Sequence, residues 1–235
     1  MTWSETAILG PMTRIVQFLI RVNSTEPRPD STLVDRLNMV SETLNRSANA
    51  DSTGVFVAVP GATLGTAHAD LMAEAPFDAI VELRGDDVSI QAAMNELNQA
   101  LSVDHGSSAV LSGVEHEFVG GEDAYRLQVF VAASSLLSHD EFIDHWLNRH
   151  GNLIRPTRTG PPYKQFHADV TASDAAASLT GSGIRHFAGA AIAGYPDLGS
   201  YRRALSNRER MAPIIEDELR FIDHAHSVVG FYRAI

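Results

Sequence analysis

Three imidazoles and one phenol in the second half of this chain have the types and spacing for proton transfer: His145, His150, His167 and Tyr163. Imidazole is the side chain best matched to moving protons near neutral pH. Desolvation in an apolar setting lowers a His pKa and leaves a neutral ring ready to accept a proton. His167 follows Gln165 and Tyr163 in alternation, so these three project to one side of a strand. Trp146, Arg155, His186 and Tyr232 are the further groups that could contact a substrate. Taken singly, His145 or His150 could equally donate to a backbone carbonyl in a helix-to-sheet interface, since buried polar groups find partners. A shared metal ion is not expected of them. On an α-helix residues five apart sit roughly 140° from each other at ~100° per residue, unlike the i, i+4 pair that grips one ion.

The element that must position them is the stretch from Ser138 to Gly151. Ser138 followed by Glu141 is a capping box, and Leu137 with Phe142 can form the hydrophobic staple across that turn. Gly151 is placed to close the helix and Pro156 to prevent its resumption. Phe142, Trp146, Arg149/His150 and Leu153 recur at spacings of three and four, which puts them on one buried stripe with His145 beside Phe142.

The pattern Ser138-x-x-Glu141-Phe142-x-x-His145-Trp146-x-x-x-His150-Gly151-x-Leu153, followed by Tyr163-x-Gln165-x-His167, resembles the signature of the EthD family, a branch of the dimeric α+β barrel (ferredoxin-like) proteins. The closing stretch Ser206-x-x-x-Arg210 through Glu218-x-x-Phe221-Ile222-Asp223 to Ser227 is similar to that family's last helix and strand. The resemblance covers roughly residues 124 to 235 and implies a fold and a pocket, the family being chemically diverse.

Along the rest of the chain, strands are expected at 14–22, 53–59, 77–83 and 109–119, from their β-branched and aromatic content. The intervening helices are expected from residue 30 or 31, with Leu33, Leu37, Val40 and Leu44 as its stripe, and at 88–101. The link between the second and third strands is Gly-rich and carries a solitary His68. The order repeats: strands at 124–133, 163–170 and 186–194, a helical region from 197 to 223 broken near 206–208 or bent at Pro213, and a last strand at 226–233. The expected fold class is therefore α+β: two tandem ferredoxin-like βαββαβ repeats packed as a pseudo-dimeric α+β barrel. Residues 1–120 form a degenerate scaffold repeat and 121–235 the EthD-like repeat carrying the site. Packing the sheets together covers apolar faces that a soluble monomer would otherwise expose. Further association into a homodimer stays open.

The 235 residues carry a formal charge of −11, with 44% hydrophobic and 20% charged residues, which suits an ordinary soluble globular protein. That acidity argues against nucleic acid or an anionic membrane as partner. The chain has no Cys, which excludes disulfides and thiolate chemistry. The first ten residues lack a secretory signal and no run is long enough to span a bilayer, so a cytoplasmic location is expected. Neither a phosphate-cradling glycine loop nor a Gly-x-Ser-x-Gly elbow occurs. Asp223-His224-Ala-His226 could touch a metal, but exposed loop histidines explain it more simply, and no metal site is assigned. Arg155, Arg158 and Lys164 could capture a carboxylate or phenolate.

These residues lead to a cofactor-independent lyase, a decarboxylase or dehydratase working by His acid/base catalysis on a small aromatic or phenolic intermediate. Isomerase or cyclase chemistry, a cofactor-free or haem oxidoreductase of the same fold, and a non-enzymatic small-molecule-binding barrel are the alternatives. The cavity is expected between the signature helix and its own sheet.

Overall fold

A computed structural model describes residues 13–23, 31–63, 68–121, 124–154, 161–184, 186–206 and 208–235. Arg155 and Arg158 lie outside the described residues, as do Pro156 and Asp30.

The strands are β1 (Thr13–Ile20), β2 (Ser52–Ala58), a short β3 (Ala73–Glu74), β4 (Ala79–Arg84), β5 (Ala109–Val119), β6 (Tyr125–Val131), β7 (Tyr163–Ala168), β8 (Gly189–Tyr195) and β9 (Val228–Ala234). Eight of them pair antiparallel in the order β2-β4-β1-β5-β7-β8-β6-β9, and β9 returns to β2 through Val57 and Arg233, closing a barrel within one chain. β3 adds in parallel to β9. Strands β1 to β5 contribute the run β2-β4-β1-β5 and strands β6 to β9 the run β7-β8-β6-β9, so the two halves place their strands in the same relative order.

Period-2 alternation decides what each strand sends inward and outward. On β1, Ile15 and Leu19 enter the barrel with Ile80, Leu111, Phe130 and Phe166. Val16, Phe18 and Ile20 face outward, beneath α1 (Ser31–Ser47) and α2 (Ile90–Ala100). On β6, Leu127, Val129 and Val131 face outward beneath α3 (His139–Asp144), α6 (Leu198–Ser206) and α7 (Arg208–Glu218). After residue 197 come two helices, α6 ending at Ser206 and α7 beginning at Arg208, with Pro213 accommodated inside α7.

Three expectations need correction. A helix, α5 (Val170–Thr180), occupies a stretch where none was expected, capped by Asp169 and closed by Gly181 in the left-handed region. It buries small residues, Ala176 and Ala177, and leaves Val170 and Leu179 exposed, the reverse of the usual apolar stripe. Secondly, Gly151 does not end the signature helix: its φ of −55° is ordinary helix and α4 (Gly151–Ile154) continues the chain. Glycine is needed there for space, because a Cβ would lie 2.3 Å from Phe118 Cε1. Finally, residues His145–His150 form one π-helical turn rather than α-helix.

Gly189 marks the point where the barrel wall meets this helix. Its φ of +154° is one that side chains rarely adopt, and an added Cβ would fall 2.0 Å from the Phe166 carbonyl oxygen and 3.0 Å from Trp146 Cζ3. Gly189→Ala should therefore lower the unfolding free energy by ~3 kcal/mol, from backbone strain together with overpacking. Urea denaturation measures it, and an unchanged midpoint would contradict this packing.

Candidate active site

The signature helix begins as its sequence demands. Ser138 Oγ accepts from the Glu141 amide at 3.3 Å, and Glu141 Oε2 accepts from the Ser138 amide at 2.9 Å. After Asp144 the hydrogen bonding lengthens by one residue, so that the Gly151 amide reaches the Trp146 carbonyl. That carbonyl also accepts from Gln165 Nε2 at 3.0 Å, which ties the widened turn to β7. Bonding from i to i+5 makes residues five apart successive neighbours on one face. The separation expected for an α-helix is therefore wrong here.

His145 and His150 consequently converge on a single carboxylate. His145 Nε2 donates to Asp217 Oδ1 at 3.1 Å and His150 Nδ1 donates to Asp217 Oδ2 at 3.1 Å. The neighbouring Glu218 serves a second pair: His68 Nε2 donates to its Oε1 at 3.3 Å and His224 Nε2 to its Oε2 at 3.5 Å. Both carboxylates are buried at the end of α7. Phe221, one turn further on, packs its ring 4.7 Å from that of His145 and 5.1 Å from that of His150.

Beside this cluster lies a cavity of about 220 Å³, between the signature helix, α6 and α7 on one side and the outer face of β6, β7 and β8 on the other. Leu127, Val129, Ala191, Leu205 and Met211 make its wall apolar, and Trp146 is part of it. The residues with polar groups that line it include His68, His150, Tyr163, Tyr195 and Glu218. A volume of this size suits one substituted aromatic ring, since an apolar cavity of ~150 Å³ can hold benzene.

The residues singled out from sequence divide accordingly. His150, Trp146 and Tyr163 line the cavity, and His145 stands behind His150 on the shared carboxylate. His167 is buried on the far side of Trp146, its ring stacked on the indole at 4.5 Å and 16°. It donates from Nε2 to Gln165 Oε1 at 2.9 Å, so it supports the wall without reaching the cavity. Two substrate-contact candidates are not brought there. His186 is exposed and bonded to the His226 carbonyl at 3.1 Å. Tyr232 points into the barrel with Phe130, because on β9 it alternates with Val229 and Phe231, which face the helices. Lys164 also turns inward, to Glu115 at 3.2 Å.

Sequence reasoning missed Asp217 and His68. Asp217 carried no signal beyond its place beside Glu218. His68 comes from the first half, which was expected to be scaffold alone. After β2 the Val59 amide bonds Phe231 O on β9 at 2.8 Å, and Ala62 and Met72 pack in the core beneath α3, α6 and α7.

Environment sets the proton affinities apart. Burial lowers that of His150 and outweighs the attraction of Glu218 and Asp217, so its ring is neutral near neutral pH. Burial works in the same direction on His68, but the hydrogen bond and charge of Glu218 outweigh it and raise the pKa. Glu218 is pushed up by burial and held down to about 2 by His224 and His68. Tyr163 is raised, chiefly by burial. For His167, burial and then the facing His116 bring the pKa down to about 3.

Residues 135–225 match the model of the EthD domain. No curated protein matches the sequence. Similar solved structures include a provisionally named chlorite dismutase, with 10% identity, 95% of each chain covered and a TM-score of 0.53. A doubly substituted chlorite dismutase from Candidatus Nitrospira defluvii has 10% identity over 94% of this chain and 91% of that one, with a TM-score of 0.50. A dye-decolorizing peroxidase from Bacteroides thetaiotaomicron has 10% identity over 96% and 94%, also at 0.50. At such identities the likeness shows the fold alone, a closed antiparallel barrel with helices packed on its outside. Among the described residues no helix is long and apolar enough to cross a membrane, and no group of three or more His, Cys, Asp or Glu could hold a metal ion.

Haem is the cofactor named in one of the oxidoreductase alternatives. His150 has the donor pattern of an axial ligand, its Nδ1 bonded to a carboxylate. The room does not match: about 220 Å³ is below the ~300 Å³ at which pockets begin to take drug-sized ligands, and a porphyrin is larger still. The walls would have to part for it to enter.

His167 supplies a pH test of the packing. Between the unfolded value near 6.5 and the folded value of about 3, the unfolded chain binds a proton that the folded one refuses. Stability must therefore fall as the pH drops through that window and level off beneath it. On going from pH 7 to pH 4 the wild type should lose ~3 kcal/mol more unfolding free energy than His167→Gln, read from urea curves. Equal losses would show that the ring is not held neutral against Trp146.

Proposed function

We propose that this protein is a cofactor-independent enzyme that binds a small aromatic or phenolic compound in the cavity beside the π turn and transfers a proton through His150. Lyase chemistry, dehydration or decarboxylation, is the preferred class, with isomerisation or cyclisation next. One observation carries the reading: an apolar cavity sized for a single ring has in its wall a neutral imidazole whose other nitrogen is fixed by a buried carboxylate. Asp217 holds the proton on Nδ1 and so presents Nε2 as the acceptor, the orientation that a general base requires.

In this scheme Nε2 of His150 takes the proton of a phenolic hydroxyl. The electron pair of the oxyanion then moves through the ring and expels a benzylic hydroxide, which leaves as water with that proton. Trp146 and the aliphatic wall exclude water, and Tyr163 supplies a phenol that burial keeps protonated. The roles sketched from sequence for His145 and His167 become positioning ones: His145 shares the carboxylate, and His167 backs the indole. The repeated strand order supports reading the chain as two ferredoxin-like units meeting near residues 120–121.

His150→Gln should reduce kcat/KM by ~10²–10⁴-fold on a panel of hydroxybenzoic acids and phenols with a benzylic hydroxyl, without unfolding the protein. In the wild type, kcat/KM should hold as the pH falls to 6.5 and decline only beneath it, because the base stays neutral down to its lowered pKa. Full turnover by His150→Gln rejects the assignment. A haem oxidoreductase is the second reading, for which the His150–Asp217 pair speaks and against which the cavity volume speaks, and a Soret band in the purified protein would establish it in place of the first.

A further inference from the structure

His68 reaches the cavity from the first half of the chain with one ring nitrogen tied down and the other free. Its Nε2 donates to Glu218 Oε1 at 3.3 Å, whereas Nδ1 is buried and has no hydrogen-bond partner among the described residues. Its backbone is held too: the amides of Leu71 and Met72 bond the His68 carbonyl at 3.0 and 2.9 Å, and the residue is 5% exposed. An imidazole nitrogen left unpaired in such a place carries an uncompensated desolvation cost. The reading of the cavity as an aromatic-ligand site says where a partner would come from.

Resting on that reading, we infer that His68 Nδ1 forms an oxygen-anion subsite, which takes the phenolate, enolate or carboxylate oxygen of a ligand whose ring lies in the cavity lined by Trp146. Glu218 is the positioning residue: it accepts from Nε2 and so turns Nδ1 towards the ligand. The same carboxylate favours the protonated imidazole, since its hydrogen bond and charge outweigh the burial that opposes it. In the protonated ring both nitrogens carry a proton, and Nδ1 is then a donor that needs an acceptor. His150, on the same cavity, is neutral and offers an acceptor. A ligand satisfying both has an aromatic body, one hydroxyl to give its proton to His150 and a second oxygen function to accept from His68. Hydroxylated aromatic acids and their enolisable relatives have this chemistry, whereas simple hydrocarbons do not. Pairs of titratable groups whose surroundings drive their proton affinities apart mark where acid and base roles fall. Here one of the two comes from each half of the chain.

The test uses 4-nitrophenol and toluene as probes of the full-length protein, with binding followed by calorimetry and the visible band of the phenolate, at a pH where free 4-nitrophenol is colourless. The wild type should bind both, hold 4-nitrophenol in its yellow ionised form and prefer it by at least ~10-fold, the worth of one charge-assisted hydrogen bond. His68→Gln should keep its affinity for toluene, lose that preference and bind 4-nitrophenol colourless. Should His68→Gln no longer take up toluene, Glu218→Gln decides, because it retains the ring: loss of the yellow form there supports the subsite, and its persistence overturns it. Equal affinity of wild type and His68→Gln for 4-nitrophenol also overturns the subsite while leaving the aromatic cavity intact. Failure of the wild type to bind either probe would instead remove the cavity reading beneath it.

Discussion

Two adjacent carboxylates, Asp217 and Glu218, are buried at the end of α7 against an apolar wall, and the organisation of the site follows from the need to satisfy them. An unpaired carboxylate in such surroundings would cost far more than a domain can sustain. Four imidazoles from three separate parts of the chain meet that demand, His145 and His150 on Asp217, His68 and His224 on Glu218. The same bonds that satisfy the carboxylate oxygens fix the rings, and a fixed ring beside a cavity of single-ring size is what proton-transfer chemistry requires.

The π turn is the backbone device that makes the first pair possible. One extra residue in the turn brings His150 round onto the carboxylate that His145 already holds, and a regular α-helix would have pointed them apart. The widened turn is supported from outside the helix, by Gln165 on the Trp146 carbonyl and by the absence of a side chain at Gly151, where Phe118 closes in. Trp146 then lies between the cavity and His167, with Gly189 beneath it, so strand and helix meet through one indole.

Much of this was legible in the residues. The capping box at Ser138 set the start of the helix, and the alternation of Tyr163, Gln165 and His167 placed all three on the face that the helix covers. Period 2 also held the answer for Tyr232, since Val229 and Phe231 were the better candidates for the outer face and Tyr232 therefore belonged inside. What could not be read was tertiary. No local pattern announces a π turn, because its cause lies on β7 and β5. No pattern links His68 to Glu218 across 150 positions, as loop closure of that length leaves no periodic trace. Helix α5 was hidden for a different reason: alanines buried and larger apolar residues exposed give no stripe to detect.

The central claim is that Asp217 holds His150 as a neutral ring with its proton on Nδ1 and Nε2 bare toward the cavity. Long-range nitrogen–proton correlation spectra of ¹⁵N-histidine-labelled protein at neutral pH address it directly. The account expects His150 to give the fixed pattern of a single neutral tautomer, protonated at Nδ1, and to lose it in Asp217→Asn. A His150 that is charged at neutral pH, or that averages between tautomers as a solvent-exposed ring does, would contradict it.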